Sequence, residues 1–197
     1  MRVVINPGHS ALIDPGAKGP TGLRERDLVR WVTLALCPLA GGGIVYEPKR
    51  QSAAGLWTLT NALHKNPADV VLSLHCDSAK HPPCIHESRV VYWAEDPDHG
   101  RAERSRQLAD SIRIHAEGSF AQKARLLTAP YSRARANGST YQLTPGILVR
   151  TAKLAAVLVE LGFVSDIHVE REMRKPEWIA RAAVALDASL RAWTTNS

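Results

Sequence analysis

Val70-Val71-Leu72-Ser73-Leu74-His75, residues 70–75, is the stretch on which the fold turns. Its β-branched head and nearly unbroken apolar character read as a strand. Polar and apolar residues do not alternate along it, so both faces are covered, as in a sheet flanked by helices. Working outward, the same signal recurs at Val3-Val4-Ile5, Ile44-Val45-Tyr46, Val90-Val91-Tyr92-Trp93, Ile147-Leu148-Val149 and Ala156-Val157-Leu158-Val159. Helical patterns lie between these runs. Glu25 to Leu39 places Leu28, Val32, Leu36 and Leu39 on one face and ends at Gly41-Gly42-Gly43. Ala53 to His64 and Arg101 to His115 follow, and a closing helix starts at Pro176, a favourable first helical position, and runs to Trp193. Gly118 to Gln142 shows no pattern beyond the Asn137-Gly138 turn. Short strands alternating with helices predict an α/β fold: a three-layer, mostly parallel twisted sheet of about six strands flanked by helices.

The 197 residues fit one domain spanning the whole chain, with no repeat, linker or low-complexity tract. At 45% hydrophobic and 22% charged, the composition excludes a disordered chain. A net charge of +6 and a pI near 9.5 favour polyanionic partners. The chain has no Lys/Arg tract, no RNP-type aromatic signature and no DNA-reading motif, so nucleic acid is not expected. The bacterial cell wall, with its carboxylates and anionic polymers, is another candidate, and the charge alone does not choose between them. Arg101, Arg104, Arg106, Arg113, Arg125, Arg133 and Arg135 are scattered as on a solvated face. Cys37, Cys76 and Cys84 are odd in number and lack C-x-x-C spacing, which argues against a disulfide framework and a thiolate zinc site. Cys76 reads as a buried, inert thiol. No apolar run approaches the ~20 residues of a membrane helix, and Met1-Arg2-Val3-Val4 runs straight into a strand with no secretory signal visible. The expectation is a monomer made in the cytoplasm, without membrane insertion, that reaches the wall by a separate release step such as holin-assisted lysis.

The strand ends carry the chemistry. His9 follows the first strand beyond a Pro-Gly turn, His75 closes the Val70 run, Glu160 closes the last strand, and Glu25 opens the first helix after a glycine-rich loop. Ligands of open α/β sheets bind beyond the carboxyl ends of the strands. Singly, each residue has a structural use; Glu25, for example, suits a first helical turn through the helix dipole. Glu160 is the most telling, because a carboxylate ending an apolar strand is costly to bury without a partner or a purpose. Together, two imidazoles and a carboxylate suit catalytic Zn²⁺ with a position left for water. A spare carboxylate could move that water's proton to a leaving amine.

Four segments resemble the zinc-dependent N-acetylmuramoyl-L-alanine amidases of the Amidase_3 type. Val4-Ile5-Asn6-Pro7-Gly8-His9 with Asp14-Pro15-Gly16-Ala17 looks like the opening motif. Gly22-Leu23-Arg24-Glu25-Arg26 resembles the segment whose glutamate binds zinc, and Ser73-Leu74-His75-Cys76-Asp77 the one whose histidine does. Val159-Glu160-Leu161-Gly162-Phe163 resembles the last motif, whose glutamate is catalytic. The motifs come in the family's order across almost the whole chain. The resemblance implies His9, Glu25 and His75 on Zn²⁺, Glu160 as the catalytic group, and cleavage between N-acetylmuramic acid and L-alanine of peptidoglycan. The short basic chain suits a phage or prophage endolysin better than a cellular amidase. Departures are Asn6 and Asp77 in place of aspartate and asparagine, the first expected to weaken a hydrogen bond behind a ligand histidine. Lys80 to Arg89 matches poorly, and no function is carried onto His81 or His86. His64, His99, His115 and His168 read as solvated, and Trp57, Trp93 and Trp178 as core. Two other readings stay open: a zinc peptidase cutting within the stem peptide, and a wall-binding protein without catalysis.

Overall fold

The computed structural model describes residues 1–9, 14–41, 44–45, 69–82, 86–94, 99–129, 131–134, 140–143 and 154–195. The Val70 run lies inside a six-stranded sheet. Its members are β1 (Val3–Pro7), β2 (Ile44–Val45), β3 (Val70–Asp77), β4 (Glu87–Trp93), β5 (Lys123–Ala129) and β8 (Ala155–Phe163), in the order β2-β1-β3-β8-β4-β5. A separate hairpin pairs β6 (Tyr131–Ala134) with β7 (Thr140–Leu143). Pairing is parallel throughout the sheet except between β8 and β4, where the direction reverses. The described helices are α1 (Glu25–Leu39), α2 (His99–Ala116), α3 (Ile167–Met173) and α4 (Pro176–Thr195). This is the α/β sheet with flanking helices that the alternating pattern predicts. The Ala53–His64 helix, the Ile147–Val149 strand, the Asn137-Gly138 turn, Trp57, His64 and Cys84 lie outside the described residues.

Two strand ends differ from expectation. β3 continues past His75 to Asp77, and β8 continues past Glu160 to Phe163. His75 and Glu160 therefore sit within their strands rather than closing them. The reason is that the two strands keep pairing: His75 is in register with Glu160, the register then shifts, and Asp77 pairs with Phe163.

The two faces of the sheet are unequal. Ile5, Leu72, Leu74, Val157, Val159 and Leu161 join Leu28 and Leu36 of α1, Leu108 and Ile112 of α2, and Trp178 and Leu186 of α4 in the main core. Each large side chain fully buried there contributes about 1.5–3 kcal/mol relative to exposure. The opposite face holds a smaller cluster, Val4, Val71, Val91, Ala129, Ala156 and Leu158. Among the described residues, every one of the largest fully buried side chains belongs to this first core. The other face can thus give its upper end to polar residues at little cost, and the alternation of β3 and β8 directs His75 and Glu160 to it.

Candidate metal centre and active site

Glu25 is fixed before any ligand is considered. Its backbone N–H donates to the Ala17 carbonyl (2.8 Å) and that of Arg26 to the Pro15 carbonyl (3.3 Å), so the preceding loop satisfies the first turn of α1. Its carboxylate, 3% exposed, accepts from the N–H of Cys76 at Oε1 and of Ala17 at Oε2, both at 2.8 Å. Each carboxylate oxygen also faces an imidazole: Oε1 lies 3.1 Å from His75 Nδ1 and Oε2 lies 3.1 Å from His9 Nε2. The His9 and His75 rings meet edge to face with centroids 5.3 Å apart.

Each imidazole stands 3.1 Å from a different oxygen of the one Glu25 carboxylate. One donor atom from each of His9, Glu25 and His75 falls within 4.8 Å of the others. The donor set and spacing fit the metal that the residue types suggest.

Glycines make the room. A Cβ on Gly8 would stand 2.5 Å from His75 Nδ1, and one on Gly16, at φ +67°, would stand 2.5 Å from Glu25 Oε2. Both positions exclude side chains because the ligands occupy that space. His9 itself adopts φ 66°, a left-handed conformation uncommon outside glycine, though histidine is among the residues that take it more readily. Its second nitrogen meets a carboxylate: Nδ1 lies 2.8 Å from Asp14 Oδ2, while Asp14 Oδ1 accepts from the Gly16 N–H at 3.1 Å. The expectation placed the carboxylate behind a ligand histidine at position 6 and treated Asn6 as a weakness. Asp14 supplies it instead, and Asn6 Oδ1 accepts from the Ser73 hydroxyl at 3.2 Å. The signal was in the sequence, since Asp14 is part of the quoted opening motif.

The ionisable groups of this cluster shift one another as an ion pair does. Burial would raise the Glu25 pKa, but His75 and His9 hold it far below the ordinary carboxylate range. Burial would lower that of His9, yet Glu25 and Asp14 raise it to about 9. Burial and the nearby charge of Glu25 push the Cys76 thiol up, in keeping with an inert cysteine. Glu160 is 5% exposed and stands beside His75 on the next strand. All four expected residues are therefore brought to one end of the β3–β8 pair. Of the other histidines, His86 stacks on Trp178 (5.6 Å) and its Nε2 meets the Leu161 carbonyl, and His115 Nδ1 meets the Ser111 carbonyl, which makes His115 part-buried rather than solvated.

Sequence reasoning missed Glu170. This residue of α3, 0% exposed, accepts from the Thr21 N–H at 2.7 Å and the Leu23 N–H at 2.8 Å, clasping the loop that leads into Glu25.

Comparison with known proteins gives the chain's family and fold. An uncharacterized cell wall amidase of Bacillus anthracis is 28% identical over 200 residues, covering 95% of this chain. The chain spans about a third, 34%, of that relative's length. The N-acetylmuramoyl-L-alanine amidase of Clostridium difficile 630 superposes with a TM-score of 0.76 at 17% identity, covering 100% of this chain and 97% of that one. Ami1 of Mycobacterium smegmatis gives a TM-score of 0.76 at 17% identity, covering 100% and 98%. These two likenesses establish the fold. The family described as N-acetylmuramoyl-L-alanine amidase, Amidase_3, matches residues 3–192, nearly the whole sequence, and the chain belongs to it.

Proposed function

We propose that this chain is a zinc-dependent N-acetylmuramoyl-L-alanine amidase that hydrolyses the amide between N-acetylmuramic acid and L-alanine of the peptidoglycan stem peptide. The observation that carries the reading is the convergence of His9, Glu25 and His75, with Glu160 in register beside His75. His9 Nε2, His75 Nδ1 and the Glu25 carboxylate are the ligands. A bound Zn²⁺ supplies a more acidic water and a Lewis acid for the scissile carbonyl. Asp14, accepting from His9 Nδ1–H, selects the tautomer whose Nε2 lone pair faces the site. Glu160 takes the proton of the attacking water at its carboxylate and passes it to the L-alanine nitrogen as that amine leaves.

The chain acts as a monomeric catalytic domain on the anionic wall, in the manner of a phage or prophage endolysin. Its net charge of +6 supports that setting. Among the described residues no helix is long and apolar enough to cross a membrane.

Digestion of purified sacculi tests the reaction. New amino termini should be L-alanine only. Termini from inside the stem would instead identify a peptidase, and binding without new termini in the presence of zinc a wall-binding protein. For the lytic setting, the purified chain added alone from outside should clear a sacculus suspension. A requirement for a second, activating protein would reject it.

A further inference from the structure

Four positions in register cross the sheet in one row: His75 on β3, Glu160 on β8, Arg89 on β4 and Arg125 on β5. Register partners project to the same face, so both arginines share the face of the reaction centre. Arg89 is held by two carboxylates and a ring. Its Nη1 donates to Asp77 (2.8 Å), its Nε donates to Glu87 (3.0 Å), and its guanidinium lies 4.6 Å from the Phe163 ring centroid. Arg125 is exposed, as expected of the scattered arginines, but it is anchored at one end. Its Nε donates to Glu87, which is 2% exposed, at 2.6 Å, yet the Arg125 side chain is 53% exposed. Among the described residues its two terminal nitrogens have no other hydrogen bond. Lys123, exposed and in register with Glu87, lies on the same face of β5. Three cations against Asp77 and Glu87 leave a surplus positive charge on the β5 side of Glu160.

We propose that Arg125, braced by Glu87 and backed by Lys123, is a subsite for a carboxylate of the stem peptide one or two residues beyond the scissile amide. This rests on the amidase reading above. Two strand spacings separate Arg125 from Glu160, ~10 Å in all. A peptide leaving the reaction centre along the row advances about 3.5 Å per residue, and the arginine side chain covers the remainder. A guanidinium held through Nε presents its paired terminal nitrogens end-on, a geometry that matches a carboxylate.

Two soluble muramoyl peptides test the subsite, one with a free carboxylate on the second stem residue and one with that group as a carboxamide. Wild-type protein should show a roughly tenfold lower KM for the free acid, a preference that shrinks as salt rises. Arg125→Gln should bring the KM ratio to about one with kcat little changed, while Arg125→Lys should keep part of the preference. Equal KM values in the wild type, or a ratio that survives Arg125→Gln, would overturn the proposal. Equilibrium binding of the same peptides to the wild type separates the two readings. If neither peptide is cleaved but binding still favours the free acid through Arg125, the amidase reading fails and the subsite stands.

Discussion

Asp14 shows how one residue outside the ligand set can govern it. A carboxylate hydrogen-bonded to the far nitrogen of a ligand histidine fixes ring and tautomer, and losing it usually costs ~10–100-fold in metal affinity. Asp14→Asn should weaken zinc binding by that amount, read by competition with a chromophoric chelator, and unchanged affinity would remove Asp14 from this role. Glu160→Ala should behave oppositely. Zinc content by elemental analysis stays at the wild-type level, while turnover falls by about 10²–10⁴, the usual yield of a positioned acid–base group. A variant that lost its zinc and recovered activity on metal restoration would show that Glu160 is a ligand and not the base. Both outcomes follow from where the carboxylates sit, one hydrogen-bonded behind His9 and the other in register with His75.

At the scale of elements, α3 matters beyond its seven residues. Its Glu170 clasps the Thr21 and Leu23 N–H groups, and Gly19 packs so closely that an added Cβ would stand 2.5 Å from the carboxyl carbon. Burial would raise the Glu170 pKa, but the two backbone N–H donors lower it below its ordinary 4.5. A depressed carboxylate stabilises the fold fully above the unfolded value and loses that contribution as pH falls through the folded one. Glu170→Gln should therefore flatten the dependence of urea-unfolding stability on pH below about 4.5 and cost about 1–3 kcal/mol at neutral pH, because the amide accepts through a single oxygen. A slope identical to wild type would show that another carboxylate governs acid unfolding. The same helix shows what could be read in advance. α1 is predicted to the residue because its apolar positions recur over four turns, whereas α3 is too short for periodicity to register. Its start was nevertheless marked by Asp166, whose side chain accepts from the His168 and Val169 N–H groups. β5 escaped for another reason: Lys123 and Arg125 interrupt its apolar positions, and their role became visible only once Glu87 was placed beneath Arg125. The ends of β3 and β8 were drawn short because polarity at His75 and Glu160 mimics a strand boundary, whereas pairing with the neighbour sets the real one.

For the whole molecule, the fixing of Glu25 comes from the protein's own groups. Glu25 bonds to the Cys76 and Ala17 N–H groups and faces both imidazoles, so no buried charge is left stranded when the ion is withdrawn. Chelation should abolish hydrolysis while the far-ultraviolet circular dichroism is preserved, and zinc should restore activity. At a hundredfold excess over Kd the ion should add about 2.7 kcal/mol to unfolding stability. Collapse of the dichroism on chelation would instead make the metal a structural element. Four motifs spread across the sequence sufficed to single out His9, Glu25, His75 and Glu160, which the fold gathers at one end of the β3–β8 pair. The cationic edge was not legible, since it depends on register between strands distant in sequence.

The reversal of direction between β8 and β4 has a further consequence. It gathers the carboxyl ends of one half of the sheet and the amino ends of the other along a single rim. The groups proposed to break the bond come from the first half and the Arg89–Arg125 edge from the second, so the two can diverge independently. On the proposed function, a descendant of this chain could change which walls it digests by altering β4 and β5 alone, with the His9–Glu25–His75–Glu160 group inherited intact.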